Sequence, residues 1–243
     1  AVYTFRSTSD TEVLLAALIT WGTAALHRLI GMFAFALLDR DAPRILLARD
    51  FFGIKPLYFS RNESRIAFAS EIAALLELTS PQSLPHSVPP CLSAPVPSSH
   101  PNPQRLFNYL RFGLTDDGAE TMLAGVEQLP AAHYLELTPD TFSTSRPVRY
   151  WQIDPTARTD LSFEDAATHL RDLFLESVRL HLRSDVPVGA CLSGGIDSSA
   201  IVCAMRQLAP QADIHAFSYC ADDPTLAEEK WVDLVASHAR TTV

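Results

Sequence analysis

The sequence predicts two folded parts of different class, an α+β part followed by an α/β part, joined by a proline-rich tether. Three observations predict this. Residues 32–68 hold short apolar runs separated by turn residues, the pattern of antiparallel hairpins. Residues 79–104 hold eight prolines and almost no large apolar side chain. That is too little apolar surface to order the segment, so it reads as an extended interdomain linker; a docking site for a proline-recognising partner is the other reading of its composition. Residues 188–218 then run strand, glycine loop, helix, strand, the unit that builds a parallel sheet.

The elements follow in order. Ser9-Asp10-Thr11-Glu12 is a capping box ahead of the apolar run Val13 to Ile19, so a helix begins there and ends near Trp21-Gly22. Met32 to Leu38 and Arg44 to Ala48 form two strands around a turn at 39–43, and Leu57 to Phe59 with Ile66 to Phe68 form a second hairpin. Ser70 caps a short helix, Glu71 to Leu78. Beyond the linker, Leu106 to Gly113 reads as a helix stopped by glycine, and His133 to Thr138 alternates like a strand. Ser162 to Arg183 carries Phe163, Ala166, Ala167, Leu170, Phe174, Ser177 and Val178 at helical spacing. Strands at Val188 to Leu192 and Asp213 to Tyr219 lie parallel, with a helix from about Ala200 between them.

The junction of that last unit carries the chemistry. Ser193-Gly194-Gly195-Ile196-Asp197-Ser198-Ser199 connects strand to helix. Two glycines let the backbone approach an anion, the helix start supplies free amides and a positive dipole end, and three serines add hydroxyls. Asp197 supplies a carboxylate for a magnesium ion that neutralises phosphates. Ser and Asp also cap ordinary glycine turns; the strand before and the helix after the string favour phosphate binding. The Gly-Lys-Ser/Thr ending of a Walker loop is absent. Ligands in such sheets sit beyond the carboxyl ends of the strands, which places residues 218–220 at the same mouth.

Composition bounds the rest. At 243 residues and 47% hydrophobic content the chain can bury one large or two small cores. A net charge of −9 argues against nucleic-acid or anionic-membrane partners. No apolar run is long enough to span a membrane, and no signal peptide is visible. Cys91, Cys191, Cys203 and Cys220 lack metal-type spacing, and the last three sit in apolar contexts where buried, reduced thiols are expected. His27, His169 and His181 lie on predicted helices without a ligand partner, Arg49 and Asp50 end a strand where they pair or meet water, and Lys55 precedes Pro56 in a turn. These features predict a soluble cytoplasmic enzyme. Ala1 in place of Met, and an end soon after a helical pattern, predict a chain cut at both ends.

The ordered set of short motifs resembles the glutamine-hydrolysing asparagine synthetases over most of the chain outside the linker. Residues 9–12, 31–36, 48–58 and 68–72 are similar to its glutaminase domain. Residues 109–113, 128–130, 150–151, 184–189 and 192–199 are similar to its synthetase domain, an ATP pyrophosphatase. The resemblance implies a partial N-terminal-nucleophile hydrolase sandwich over 1–78, the linker 79–104, and over 105–243 the start of a doubly wound parallel-sheet domain. It implies glutamine, aspartate and ATP with Mg2+ as substrates and cofactor, an aspartyl-adenylate attacked by ammonia, and a homodimer. Asp10 is the glutamine-pocket residue that remains, its carboxylate meeting the substrate amine; as a bare sequence feature it is a charge in a helix's first turn. Leu192, Ser193, Gly194, Gly195, Asp197, Ser198, Ser199 and Tyr219 are the implied ATP contacts, with Asp197 on the metal. Tyr219 replaces a small aliphatic residue of the family and either stacks on adenine or joins the core. Glu228 matches an acidic position of the family and equally reads as a first-turn charge. Pro130-Ala131-Ala132-His133 lacks the family's Pro-Gly pair, a minor loop change. No cysteine stands at position 1, so no catalytic residue is assigned and the chain as given is not expected to hydrolyse glutamine. A β-lactam synthetase, a lasso-peptide macrolactam cyclase and a non-catalytic fragment are the alternatives.

Overall fold

A computed structural model describes residues 3–62, 65–79, 100–115, 118–223 and 227–243. The chain divides into two compact units, Ala1–Pro155 and Thr156–Val243.

The first unit opens with helix α1, Asp10–Trp21, capped by Ser9 Oγ, which accepts from Thr11 N. The reciprocal half of the predicted capping box is not formed. Glu12 instead accepts from the amides of Arg6 and Ser7, the Ser7 hydroxyl and the Tyr3 phenol. Those donors, the Ser7 hydroxyl first, hold the Glu12 carboxyl below the usual range and tie residues 3–7 to the helix start. A 3-10 turn, Gly22–Arg28, follows α1 and was not legible as a separate element.

Strands β1 (Ala34–Asp39) and β2 (Arg44–Arg49) pair antiparallel, Ala34 opposite Arg49 and Asp39 opposite Arg44. Strands β3 (Tyr58–Arg61) and β4 (Ile66–Ala69) form the second hairpin, followed by helix α2, Ile72–Thr79. Residues 80–99, most of the predicted linker, lie outside the described residues. Its last positions are not linker: Asn102 caps helix α3, Pro103–Phe112, which Gly113 ends, and Asn102 N donates to Met122 O.

The expected boundary at 105 is corrected by strand pairing. Strand β5 (Glu127–Gln128) adds to β3, β6 (His133–Leu137) adds to β2, and β7 (Val148–Arg149) adds to β6. Residues 105–155 therefore complete the first unit. Its sheets have the orders β1-β2-β6-β7 and β4-β3-β5. Alternation along β2 explains the layering. Leu47 points, with Leu135 and Leu137, into a core shared with Phe59 of the other sheet. Its neighbours Leu46 and Ala48 point the other way, Leu46 toward Leu18 of α1. A strand covered on both faces reads as a continuous apolar run rather than an alternating one.

The second unit contains helix α4 (Phe163–His181, capped by Ser162), strand β8 (Gly189–Cys191), helix α5 (Ile196–Leu208), strand β9 (His215–Phe217) and helix α6 (Glu229–Ala239). Both strands are shorter than expected, and they are parallel, with Ala190 opposite Ala216. Thr242 bridges His215 in parallel on the far side of β9. Helix α5 packs through Val202 against Val232 of α6, and through Ala204 and Met205 against Val178 of α4. Arg206 of α5 donates to the carbonyls of Ala239 and Arg240 at the end of α6, and of Pro210 and Ala212 before β9. The expectation of buried thiols fails here: Cys191 and Cys220 are exposed and Cys203 is half-buried. Among the described residues no helix is long and apolar enough to cross a membrane.

Candidate functional sites

In the first unit, a cavity of about 730 Å3 lies between α1 and the segment leading into β1. Asp10, Thr11 and Leu14 of α1 line it together with Gly31, Met32 and Phe35, and with Lys55 and Ser70 from the β3–β4 side. Asp10 is exposed at the first turn of α1, so its charge meets the helix's positive end while facing an otherwise largely apolar hollow. Lys55 and Ser70 read as turn and cap residues in the sequence; only the fold brings them to the cavity that Asp10 also lines. The cavity can hold a small polar molecule carrying an amine for Asp10 and an anionic group for Lys55.

Beneath this cavity sits a polar corner. Asp50 is 1% exposed, and its carboxylate accepts from the amides of Phe33, Phe52, Ile54 and Lys55 at 2.9–3.2 Å. Arg49 is also buried and donates to the carbonyls of Gly53, Lys55 and Leu129. Tyr150 donates to Arg49 O at 2.8 Å; burial, with the nearby Asp50 charge, pushes its phenol well above the ordinary tyrosine value. Of the two expectations for Arg49 and Asp50, pairing or meeting water, the second fails: both are buried and bonded to backbone groups. They shape the turn at 50–55 from inside. Gly53 belongs to the same device: φ is +66° and a Cβ would lie 3.0 Å from the Arg49 guanidinium carbon.

Ala132 closes the corner, donating to Asp50 O and accepting from Tyr150 N. Its φ is +58°, a left-handed conformation that costs an L-residue about 1–2 kcal/mol. The Pro-Gly replacement here is therefore a strained position and not a minor loop change.

In the second unit, the Ser193 loop leaves the carboxyl end of β8. Leu192 is buried in the core, and its amide donates to Phe217 O; its side chain is packing, not a ligand contact. Gly194 has φ +76°, and a Cβ there would overlap Trp231 Cβ of α6. The glycine is required both by dihedral and by close approach. Gly195 is the N-cap, without a side-chain cap, and Ser199 N makes the first helical bond, to Gly195 O. The amides of Ile196, Asp197 and Ser198 precede that bond and keep their donors. Ser193 and Ser198 share a hydroxyl–hydroxyl bond of 3.1 Å, and Ser198 Oγ donates to Gly195 O. Asp197 is exposed, and among the described residues its carboxylate makes no hydrogen bond or ion pair. Ser199 Oγ is shielded from solvent and has no hydrogen-bond partner among the described residues, so it faces inward.

Tyr219 is 86% exposed beyond β9 and is not core. Glu228 is the N-cap of α6, its carbonyl accepting from Trp231 N and Val232 N. The Cys220 thiol is raised above its ordinary value by hydrogen bonding to Glu229. Among the described residues no group of three or more His, Cys, Asp or Glu could hold a metal. A single carboxylate nevertheless suits magnesium, which keeps several waters and takes its remaining ligands from phosphates. Trp231, against which Gly194 packs, carried no local signal because its role depends on a contact across 37 residues of chain.

Residues 1–151 match the family described as glutamine amidotransferase domain, and residues 169–243 match asparagine synthase. The first match ends close to the structural boundary at 155. The glutamine-hydrolysing asparagine synthetase 3 of Bacillus subtilis (strain 168) is 34% identical over 197 residues, 81% of this chain and 29% of the relative. The synthetase 2 of the same organism is 31% identical over 229 residues, 88% of this chain and 27% of the relative. A protein named amidase chry2 from Gibberella zeae is 30% identical over 212 residues, 86% of this chain and 28% of the relative. The chain thus spans less than a third of the length of these curated relatives.

Proposed function

The chain belongs to the glutamine-hydrolysing asparagine synthetase family, and from that premise we propose that it is part of a cytoplasmic, ATP-dependent ligase that amidates aspartate with nitrogen from glutamine. The observation that carries this reading is the Ser193 loop: free amides at 196–198, the Ser193–Ser198 hydroxyl pair and an unpaired Asp197 converge at the carboxyl end of a parallel strand. The amides and hydroxyls donate to the pyrophosphate portion of ATP, and Asp197 would hold magnesium. Bound there, magnesium supplies positive charge against the phosphates. Tyr219 is free to lie against the adenine ring, and Leu192 fixes the strand end beneath it. The aspartate side-chain carboxylate attacks the α-phosphorus, pyrophosphate leaves, and ammonia then attacks the acyl carbon and displaces AMP. In the first unit, Asp10 pairs with the amine of glutamine inside the 730 Å3 cavity.

A second reading has the same loop activate a carboxylate other than aspartate, as in a β-lactam synthetase or a lasso-peptide macrolactam cyclase; the chain's likeness extends to a relative that is not named an asparagine synthetase. Both readings share the adenylation step. Asp197→Asn in the full-length protein is expected to lower ATP–pyrophosphate exchange about ten- to a hundredfold, the loss of one charge-assisted contact, with the thermal midpoint retained. Unchanged exchange would remove Asp197 from the metal site. Dependence of exchange on added aspartate separates the two acceptors.

A further inference from the structure

A second cavity of the first unit, about 380 Å3, shares no lining residue with the Asp10 cavity. Arg61 at the end of β3, Arg146, Glu120 and Glu127 all border it, beside the α3 cap Asn102. Four charges thus face one small space, and among the described residues none of them makes an ion pair with another. Glu120 and Glu127 oppose each other across an antiparallel bridge, where like charges repel. Arg61 Nη1 is shielded from solvent and has no hydrogen-bond partner among the described residues, a costly state for a cationic donor. Among the described residues the Arg146 guanidinium donates only to the adjacent Ser145 carbonyl.

Two needs stand together here: a cation between two carboxylates, and a planar acceptor for guanidinium donors. Among the described residues its charges are balanced, two positive against two negative. A dianion or a dication would leave it charged, whereas a molecule with one carboxylate and one ammonium satisfies it without net charge. The volume lies at the small end of ligand cavities.

We propose that this cavity binds a free neutral α-amino acid, its carboxylate on the Arg61 and Arg146 guanidiniums and its ammonium between Glu120 and Glu127. The site shares no residue with either proposed substrate site.

Isothermal titration of L-asparagine into the 243-residue chain tests it. Saturable one-to-one binding is expected, retained in Asp10→Asn and weakened about tenfold or more in Arg61→Met, in the exposed-side variant Arg146→Met and in Glu120→Gln. Succinate, which lacks the ammonium, is expected to bind about tenfold more weakly or not at all. Absence of saturable L-asparagine binding, an unchanged Kd in Arg146→Met with the fold intact by circular dichroism, binding lost only in Asp10→Asn, or equal affinity for succinate would each overturn the proposal.

Discussion

The Asp50 corner and the Ser193 loop use similar groups to opposite ends. Both put an aspartate next to backbone amides at the end of a β-strand, and both use a glycine with positive φ. In the corner, four amides converge on the buried carboxylate and three carbonyls on the neighbouring arginine. In the loop, the amides at 196–198 and the Asp197 carboxylate keep their hydrogen-bonding capacity. A polar group whose capacity is spent inside the protein builds structure; one whose capacity is left open to solvent can build a ligand site. Sequence motifs alone do not separate the two.

The contrast predicts where mutations should act. The largest effect belongs to Asp50→Ala, which leaves four partly or fully buried amides without an acceptor. It should cost the first unit about 3–5 kcal/mol in chemical denaturation while leaving the unfolding of the second unit unchanged. A loss below about 1 kcal/mol would mean that the amides find other partners and that the corner is not what orders the 50–55 turn.

Gly194→Ala comes next. The left-handed φ and the overlap with Trp231 together should cost the second unit about 2–3 kcal/mol, and pyrophosphate exchange by the full-length protein should be lost. Gly195→Ala sharpens the comparison: φ is −69° and the nearest atom is Ser193 Oγ at 3.3 Å. It should cost about 0.5 kcal/mol or less in stability. Equal destabilisation by the two changes would refute the role given to the Trp231 contact.

The smallest effect has the opposite sign. Ala132→Gly relieves a positive φ at the corner but loses a buried methyl and adds unfolded-state entropy. A net gain of about 0.5 kcal/mol is expected, read as a raised unfolding midpoint of the first unit. Destabilisation would show that the methyl contacts outweigh the strain.

Local signals were enough for much of the fold. Ser9, Ser162 and Gly113 marked helix ends because capping is decided within a few residues. The β1–β2 and β3–β4 hairpins were legible from apolar runs and turns, and the Ser193 string declared both its strand and its helix. Strands β5 and β7, each two residues long, carry no periodicity and exist only because β3 and β6 offer them edges. The domain boundary was misplaced for the same reason. The proline-rich segment is the most conspicuous change in composition, yet β6 pairs with β2 across it, Leu47 opposite Leu135, and no local pattern encodes a pairing between residues so far apart.

By itself, then, the sequence determined the two classes of architecture, most of the helix ends and the phosphate-type loop, all of which depend on neighbours along the chain. Tertiary structure alone decided which polar residues were consumed and which stayed open: Arg49 and Asp50 inward, Ser199 inward, Asp197 outward, Lys55 and Ser70 on the cavity that Asp10 lines. Hydrogen-bonding capacity is a property of the surroundings a side chain is folded into, and those surroundings are assembled from segments distant in sequence.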